Sequence, residues 1–291
     1  LLLFIGIGAM IDFGPLLEKP WLMLFGAAAQ FGIFFTLCIA GLFFPLKDAA
    51  SIAIIGAADG PTAIFVANTL MSDYLGPIMV AAYSYMALVP IVQPPVIRAL
   101  TTKKERCIRM SYQKGSVSRT TRILFPVVVT ILAGLVAPAS VALVGFLMFG
   151  NLLRECGVLN SLSETAQNAL ANLITILLGM TVASQMTADK FVRPDTLLIL
   201  ALGLFAFVFD TAGGVIFAKV LNIFLPEGKK VNPMIGAAGI SAFPMSGRVV
   251  NQMGLAEDNQ NFLLMYSISV NVSGQIASVI AGGLLLALMG V

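Results

Sequence analysis

The sequence contains no histidine and few charged residues. Of its 291 residues only 11% are Asp, Glu, Lys or Arg, whereas 58% are hydrophobic and the mean hydropathy is +0.96. A soluble domain would be about 25% charged, so this composition is typical of a membrane protein. Because imidazole is absent, the sequence excludes a histidine-based catalytic triad, a histidine metal site and a histidine proton shuttle.

Cysteine is also scarce. Cys38, Cys107 and Cys156 lie far apart in the chain and form no CxxC pair. No cysteine metal site or disulfide framework can be inferred from them, and isolated cysteines in apolar runs are usually small core residues.

Long apolar stretches predict several membrane-spanning helices, each needing about 20 residues to cross about 30 Å of hydrocarbon. Leu1 to Ile11 reads as the end of a further helix, and because the chain lacks an initiator Met we expect an N-terminal portion to precede it. The stretch broken at Pro138 is either one span plus an inclined helix or two short spans. The stretches are Trp21 to Pro45, Gly76 to Leu100, Ile123 to Leu153, Ala169 to Met186, Thr196 to Leu225 and Asn261 to Met289.

Two further apolar segments, residues 49–71 and 232–253, are interrupted by Gly, Pro and polar residues. Both contain Ile-Gly-Ala-Ala, at 55–58 and 235–238, and in each half a long helix precedes the interrupted segment and another follows it. This common order predicts an internal repeat. Interrupted helices in corresponding positions are typical of secondary transporters, in which the interruptions meet near the bilayer midplane.

The predicted fold class is therefore an all-α polytopic membrane protein, similar to a secondary transporter, with two structural repeats that each contain a broken or re-entrant helix. We favour inverted repeats because broken-helix transporters commonly have them, although the number of spans between Arg122 and Ala169 leaves the parity open. The predicted domains are a first repeat at 1–100, a connecting loop at 101–122, intervening membrane helices at 123–166 and a second repeat at 167–291.

The connecting loop, residues 101–122, is strongly basic and is called the basic loop below. Eight of the 17 basic residues of the chain lie between Arg98 and Arg122, against one acid, Glu105. This bias predicts a cytoplasmic location by the positive-inside rule. The same charges could also form a docking surface for an acidic cytosolic partner or for anionic lipid headgroups.

Asp59, in the first interrupted segment, is the most informative residue. A carboxylate near the bilayer centre costs about 2.5 to 3.5 kcal/mol, so it must be paired, hydrated, protonated or bound to a cation. Asp-Gly-Pro also suits the start of a half-helix, with Asp59 as its N-cap and Pro61 in its first turn. Ser or Asn could provide a cap without a buried charge, so we favour an ion site at Asp59.

The second interrupted segment contains Asn232, Ser241, Ser246 and Arg248. Hydroxyl and carboxylate oxygens, with carbonyls freed where a helix breaks, are the ligands that a hard cation prefers. An oxygen set without His or Cys favours an alkali or alkaline-earth ion over a transition metal. Arg248 could pair with Asp59, bind a substrate carboxylate through its guanidinium fork, or extend to the membrane interface.

Other polar residues lie within apolar spans. Tyr83 and Tyr85 follow the first interrupted segment, and Asn271 lies in the corresponding helix of the second half. Buried Tyr and Asn more often hold helices together than perform chemistry, but without histidine a Tyr phenol is one of the few available proton donors. Asp210, followed by Thr and two Gly residues, reads as a structural acid at a close helix contact.

Four motifs together resemble the beta subunit of the biotin-dependent, sodium-pumping decarboxylases, the family that acts on oxaloacetate, methylmalonyl-CoA and glutaconyl-CoA. The resemblance runs over essentially the whole chain and implies that an N-terminal portion is absent. The motifs are Gly-Ala-Ala-Asp-Gly-Pro-Thr at 56–62, Ala-Tyr-Ser-Tyr-Met-Ala-Leu-Val-Pro at 82–90, Gly-Asn-Leu-Leu-Arg-Glu at 150–155, and Asn-Pro-Met-Ile-Gly-Ala-Ala-Gly-Ile-Ser-Ala at 232–242 with Arg248.

The resemblance implies a membrane translocase that decarboxylates carboxybiotin, consumes a proton and exports Na⁺. It implicates Asp59 and Asn271 in Na⁺ binding, with ligands or pathway groups also at Asn232, Gly236 and Ser241. It implies catalytic roles for Tyr85, Ser241 and Arg248, the last also contacting the carboxybiotin supplied by a partner.

The implied partners are a biotin-carrying carboxyltransferase alpha subunit, a small membrane gamma or delta subunit and further copies of this chain, in the bacterial cytoplasmic membrane. No nucleic-acid partner is expected. One alternative is a stand-alone Na⁺-coupled secondary transporter or antiporter. Another is a membrane anchor that docks cytosolic enzymes through the basic loop, but an anchor has no use for the intramembrane polar residues.

Overall fold

Helices are the only regular secondary structure in the part of the chain that the computed structural model describes, residues 1–111, 115–187 and 193–290. Six stretches within those ranges are long and apolar enough to cross a membrane. This confirms the predicted class, an all-α polytopic membrane protein. The six are Pro20–Ala40, Leu75–Leu100, Arg119–Val136, Asn160–Gln185, Pro194–Phe224 and Leu264–Leu288.

The first span is built from two helices, Met23–Ala29 and Phe31–Ala40, which meet at Gln30. The second begins against the buried Asp210 of the span Pro194–Phe224, whose Oδ1 accepts a hydrogen bond from the backbone N–H of Ile33 at 3.0 Å. The first N–H groups of a helix have no partner within it and favour negative charge. Asp210 thus holds the start of this helix through Oδ1, while its buried Oδ2 has no hydrogen-bond partner among the described residues.

The region around Pro138 contains two helices. Arg119–Val136 ends just before Pro138, and Val141–Glu155 follows a short 3₁₀ turn. Proline cannot donate the backbone hydrogen bond that a continuous helix requires. The second helix has 15 residues and a length of about 22 Å, shorter than the hydrocarbon core. This favours one span plus a shorter helix, while the inversion of the repeats stays a prediction.

Both interrupted segments consist of short helices separated by non-helical residues. The first consists of Leu46–Ala53, the 3₁₀ turn Ile54–Ala57 and Gly60–Thr69. The second consists of the 3₁₀ helix Pro233–Gly239 and the helix Met245–Glu257. We call residues 58–59 the first break and residues 240–244 the second break.

The span Pro194–Phe224 packs against both Ile-Gly-Ala-Ala motifs so closely that each contact requires glycine, through backbone atoms at Gly236 and mainly through side-chain atoms at Gly56. A Cβ added to Gly236 would lie 2.0 Å from the carbonyl oxygen of Gly214, and one added to Gly56 would lie 2.6 Å from the Cβ of Ala206. Without side chains the two backbones can approach this closely. This span therefore sets the distance between the two broken helices.

The span Leu264–Leu288 occupies the centre of the protein. Of its most apolar 18 residues 78% are buried, compared with 11% in Arg119–Val136 and in Asn160–Gln185. Polar side chains on the central span are thus withdrawn from lipid and must find partners inside the protein. The breaks pack against this span, which places the candidate site at the protein core.

The basic loop is tied to the end of the helix Met245–Glu257. Arg106 Nε lies 2.7 Å from Glu257 Oε1, and Arg109 holds both carboxylate oxygens of Asp258 at 2.6 and 3.1 Å. The bidentate contact of Arg109 fixes the orientation of its guanidinium group and also compensates its positive charge. Exposed cations that remain on the loop include Lys103, Lys104 and Arg119, whereas Lys114 lies outside the described residues.

We expect the attachment of the loop to weaken in acid. The charge-assisted bonds from Arg109, followed by the N–H of Gln260, lower the pKa of Asp258 below its usual value. A lowered carboxyl pKa stabilises the folded state above the unfolded pKa of about 3.9, and this stabilisation is lost as the pH falls through the folded-state pKa. Wild-type protein should therefore melt at a higher temperature than Asp258→Asn at pH 7. The difference should begin to shrink as the pH falls below about 4 and should be lost once the folded-state pKa has been passed, and a difference that grew as the pH fell would contradict the assignment.

Candidate functional site

The first break places the carboxylate of Asp59 inside the protein. Ala58 has a left-handed backbone, with φ of 51°, which ends the 3₁₀ turn and is uncommon for a residue with a side chain. Asp59 then adopts an extended conformation, and its Oδ1 accepts the backbone N–H of Thr62 at 3.2 Å. With Pro61 in the first turn, this confirms that Asp59 is the N-cap of Gly60–Thr69.

The second oxygen of Asp59 is surrounded by hydroxyl groups. Oδ2 lies 2.7 Å from Thr62 Oγ1, 3.0 Å from Ser241 Oγ and 3.0 Å from Ser278 Oγ. Asp59 is 3% exposed, and the ion pairs formed by Lys and Arg within the described ranges all involve other acids. The neutral donors leave the negative charge of the buried carboxylate uncompensated, and one monovalent cation would neutralise it.

The two breaks meet at this carboxylate. The backbone N–H of Ser241, in the second break, donates to the carbonyl oxygen of Ala57 at 3.0 Å, while the Ser241 hydroxyl contacts Asp59. The site is thus assembled from two chain segments that lie far apart in the sequence. Any separation of the broken helices would change the coordination of a bound ion.

The central span completes the site with three polar side chains on one helical face. Gln275 Nε2 donates to the Ser241 carbonyl oxygen and to Ser241 Oγ, the latter at 3.0 Å. Ser278 Oγ lies 3.0 Å from Ser241 Oγ. Asn271 Nδ2 donates to the carbonyl oxygens of Ala238 and Ile240 at 3.1 and 2.7 Å. These bonds hold the second break against the central span.

The side-chain oxygen of Asn271, beside the second break, is left without a hydrogen bond. Asn271 is fully buried, and its Oδ1 has no partner among the described residues. Buried amide oxygens are nearly always satisfied, so an unsatisfied one is a candidate ligand for an ion or water. This chemistry fits the role in Na⁺ binding that the resemblance implies for Asn271.

A second polar group steadies the 3₁₀ helix of the second segment. Gln93, in the span Leu75–Leu100, donates from Nε2 to the carbonyl oxygen of Ala237 at 2.8 Å. The hydroxyl of Ser246 lies 3.0 Å from Gln93 Oε1 and 3.1 Å from the same carbonyl. Ser246, which the sequence placed among the candidate oxygen donors, therefore holds backbone at this position and does not contact Asp59.

Tyr83, and not Tyr85, is the phenol beside Asp59. The Tyr83 ring packs on Gly60, where an added Cβ would lie 2.7 Å from Tyr83 Cζ. The Tyr85 hydroxyl instead donates to the carbonyl oxygen of Leu200 in the span Pro194–Phe224. Residues two apart on a helix point to different sides, which separates the two phenols. The catalytic role predicted for Tyr85 has no contact with the carboxylate to support it here.

Asn232 and Gly236 lie away from Asp59. Asn232 caps the 3₁₀ helix through Oδ1 and donates from Nδ2 to the carbonyl oxygens of Arg106 and Ile108 in the basic loop, at 2.8 and 2.9 Å. Gly236 is occupied by its backbone contact with Gly214. The structure therefore places these two predicted ion ligands at the loop and at a helix contact.

Arg248 is exposed and forms no ion pair with Asp59 within the described part of the chain. It lies one turn into the helix Met245–Glu257, which runs from the second break to the basic loop. Of its predicted roles, pairing with Asp59 is absent from this structure. An exposed guanidinium between the site and the loop remains free to bind a carboxylate from outside.

The sequence reasoning missed Gln275 and Ser278, the nearest contacts from the central span. A signal was present: Asn271, Gln275 and Ser278 are spaced i, i+4 and i+7 in an otherwise apolar span, which places them on one helical face. Serine is common in membrane helices as a packing residue, so the spacing alone did not indicate a ligand.

The assembled site combines one carboxylate, three hydroxyls and nearby carbonyl and amide oxygens. No group of three or more His, Cys, Asp or Glu side chains that could hold a metal ion occurs in the ranges that the structure describes. Hydroxyl and carbonyl ligands with a single negative charge match a hard monovalent cation better than a transition metal. Fold and site together define a class, a helical membrane protein with an oxygen-lined candidate ion site where two broken helices meet.

Comparison with known proteins agrees with this class. The model of the family described as Na⁺-transporting oxaloacetate decarboxylase beta subunit matches residues 1–289. The chain belongs to this beta-subunit family. The oxaloacetate decarboxylase beta chain of Haemophilus ducreyi is 53% identical over 98% of this chain and 67% of its own length. The methylmalonyl-CoA decarboxylase beta subunits of Propionigenium modestum and Veillonella parvula are 53% and 49% identical, each over 99% of this chain and over 73% and 77% of their own lengths.

Membership confirms the resemblance read from the four motifs. The protein is a membrane subunit of a Na⁺-transporting decarboxylase, a translocase component, as the sequence predicted. The beta-subunit designation of the relatives also implies a complex of several subunits.

Proposed function

We propose that this subunit couples the decarboxylation of carboxybiotin to the export of Na⁺ through the Asp59 site. The observation that carries the proposal is the position of Asp59 Oδ2, buried at the contact of two broken helices and ringed by the hydroxyls of Thr62, Ser241 and Ser278. A carboxylate so placed costs free energy unless a cation or proton neutralises it.

Ion binding at this point can drive transport because both breaks contribute to the site. An ion favours whichever arrangement of the breaks binds it more tightly, and a ligand shifts an equilibrium only through such a difference in affinity. The Ser241 contacts to Ala57 and Asp59 join the breaks in the present arrangement. Loss of these contacts would lower the affinity and release the ion to the other side.

The exposed Arg248 is the proposed contact for the carboxyl group. In decarboxylation the bond between the biotin nitrogen and the carboxyl carbon breaks, CO₂ leaves, and the nitrogen takes up a proton. Arg248 would hold the carboxylate by its guanidinium fork near the start of the helix Met245–Glu257, one turn from the second break. When the carboxylate is consumed, Arg248 loses its anionic partner. The helix Met245–Glu257 therefore has a different electrostatic environment before and after the reaction.

Asn271 is proposed as a further Na⁺ ligand, and Asn232, Gly236 and Tyr85 as residues whose effects are indirect. Asn232 orients the second segment against the basic loop, Gly236 sets helix spacing, and Tyr85 ties Leu75–Leu100 to Pro194–Phe224. Substitution of any of the three can disturb Na⁺ transport without removing a ligand.

The proposed partners are a biotin-carrying carboxyltransferase alpha subunit, a small gamma or delta membrane subunit and other copies of this chain. The proposed location is the bacterial cytoplasmic membrane, with the basic loop on the cytoplasmic side. The exposed loop cations Lys103, Lys104 and Arg119 supply charge for docking an acidic partner surface.

The decisive experiment is uptake of ²²Na⁺ into proteoliposomes that contain the complex, with and without generation of carboxybiotin. Uptake that requires carboxybiotin supports coupling. Equal uptake by this chain alone would favour the stand-alone transporter, and assembly without any Na⁺ movement would favour an anchor. Moving one charge against 100 mV costs about 2.3 kcal/mol, so uncoupled uptake should stop at a modest opposing potential.

A further inference from the structure

Ser278 contributes the third corner of a triangle of oxygen atoms. Its Oγ lies 3.0 Å from Asp59 Oδ2 and 3.0 Å from Ser241 Oγ, and these two atoms are themselves 3.0 Å apart. The three oxygens belong to the first break, the second break and the central span. All three residues are buried, so no lipid or bulk water shares the triangle.

The hydroxyl protons around Asp59 decide which oxygen can bind a cation. A hydroxyl has one proton and two lone pairs, and it can coordinate a cation only if its proton points to some other acceptor. In the hydrogen-bonded arrangement described above, Thr62, Ser241 and Ser278 can all direct their protons at Asp59 Oδ2. A bound cation would repel those protons.

Ser278 has an alternative acceptor within reach. Its Oγ lies 3.1 Å from the carbonyl oxygen of Gln275, one helical turn earlier, so its proton can leave Asp59 without losing its hydrogen bond. Ser241 Oγ already accepts a proton from Gln275 Nε2, and its own proton is directed to Asp59 or Ser278. Ser278 is therefore the hydroxyl best able to expose a lone pair to a cation.

We propose that Ser278 is a Na⁺ ligand whose proton turns from Asp59 to the Gln275 carbonyl when the ion binds, and that Gln275 is a positioning residue for Ser241. The proposal rests on the proposed function of the Asp59 site and adds a ligand from the central span. Gln275 thereby serves both hydroxyls, since its carbonyl receives the Ser278 proton and its amide holds Ser241.

The test measures the Na⁺ dependence of oxaloacetate or methylmalonyl-CoA decarboxylation by the whole complex. Ser278→Ala should raise the Na⁺ concentration for half-maximal rate about tenfold, the effect of losing about 1.4 kcal/mol of binding. The rate at saturating Na⁺ should change less than about twofold, because uniform loss of ion binding affects half-saturation rather than turnover. Ser278→Cys keeps the side-chain size but offers a soft sulfur, so it should show the same shift.

Ser273→Ala is the matched control. Ser273 lies on the same span, is equally buried, and donates to the carbonyl oxygens of Val270 and Leu22, without contact to Asp59. It should leave the half-saturating Na⁺ concentration unchanged. Unchanged Na⁺ dependence in both Ser278 variants would overturn the ligand assignment. If Asp59→Asn in the same preparation still removed the response to Na⁺, only the assignment of Ser278 as a ligand would be wrong, and the proposed function of the Asp59 site would still be supported.

The Gln275 assignment is tested by coupling to Ser241. Gln275→Leu should raise the half-saturating Na⁺ concentration more in the wild-type background than when Ser241 is already Ala, because Ser241→Ala removes the hydroxyl that Gln275 orients and leaves only the carbonyl contact. Residues that act through one another give such non-additive effects. An equal effect of Gln275→Leu in both backgrounds would show that Gln275 does not act through Ser241.

Discussion

Replacing Asp59 with Asn is expected to abolish the Na⁺ dependence of decarboxylation and the accompanying ²²Na⁺ uptake. Asn can still cap Gly60–Thr69 through its side-chain oxygen, so the helix and the break should persist. The substitution removes the negative charge of the site. It also directs the side-chain NH₂ group of Asn toward the hydroxyls that surrounded the carboxylate. Loss of one member of a buried ion pair costs about 3 to 5 kcal/mol, equivalent to a decrease in Na⁺ affinity of about two to three and a half orders of magnitude.

Asp210→Asn provides a matched control for Asp59→Asn. Asp210 is likewise a fully buried acid in a membrane helix, but its Oδ1 binds the N–H of Ile33 at the start of Phe31–Ala40. Asn preserves that acceptor, so the Na⁺ dependence should stay close to that of the wild type. Undiminished Na⁺ stimulation in Asp59→Asn, or an equal loss in Asp210→Asn, would contradict Asp59 as the specific ion site.

Gly236→Ala is expected to prevent stable folding. An added Cβ would lie 2.0 Å from the Gly214 carbonyl oxygen and 2.4 Å from its carbon, so the 3₁₀ helix and the span Pro194–Phe224 would have to separate. Overpacking in a tight core typically costs 1 to 3 kcal/mol, and a clash between two backbones falls at or above about 3 kcal/mol. The expected result is a sharp loss of folded protein in detergent, followed by thermal unfolding and gel filtration.

Gly179→Ala is the control for this prediction, because an added Cβ at that position meets no atom within 4 Å. Alanine there should be neutral or stabilising by up to about 1 kcal/mol, since it has the higher helix propensity. The pair also separates two explanations for Gly236. If Gly236→Ala folds and melts normally but binds Na⁺ weakly, Gly236 acts in the ion pathway and the packing explanation is wrong.

The sequence predicted the membrane helices and the breaks well because their causes are local. A long apolar stretch excludes water along its whole length, and proline or glycine interrupts a helix wherever it occurs. The helix interruptions at Pro138 and at the two Ile-Gly-Ala-Ala segments could therefore be predicted from the residues at those positions alone. Asp59 could likewise be predicted as a candidate site residue, because a carboxylate in a membrane segment is costly whichever residues surround it.

Which residues contact Asp59 was harder to predict, because this depends on which face of each helix is directed toward the breaks. Tyr83 and Tyr85 have the same chemistry and are two residues apart, yet only the first packs beside Asp59. Arg248, which could have paired with Asp59, is exposed, and Asn232 contacts the basic loop. Residue type could not decide between these outcomes, since each side chain is compatible with several partners.

By itself, therefore, the sequence determined that this is a helical membrane protein with a buried acid where a helix is interrupted, since burying charge and interrupting a helix are penalised locally. The tertiary structure alone decided that Ser241 and Ser278 join Thr62 as hydroxyls at Asp59 and that Gln275 holds the second break. Both serines lie far from Asp59 in the sequence, and only the packing of the central span against both breaks brings their oxygens within hydrogen-bond distance.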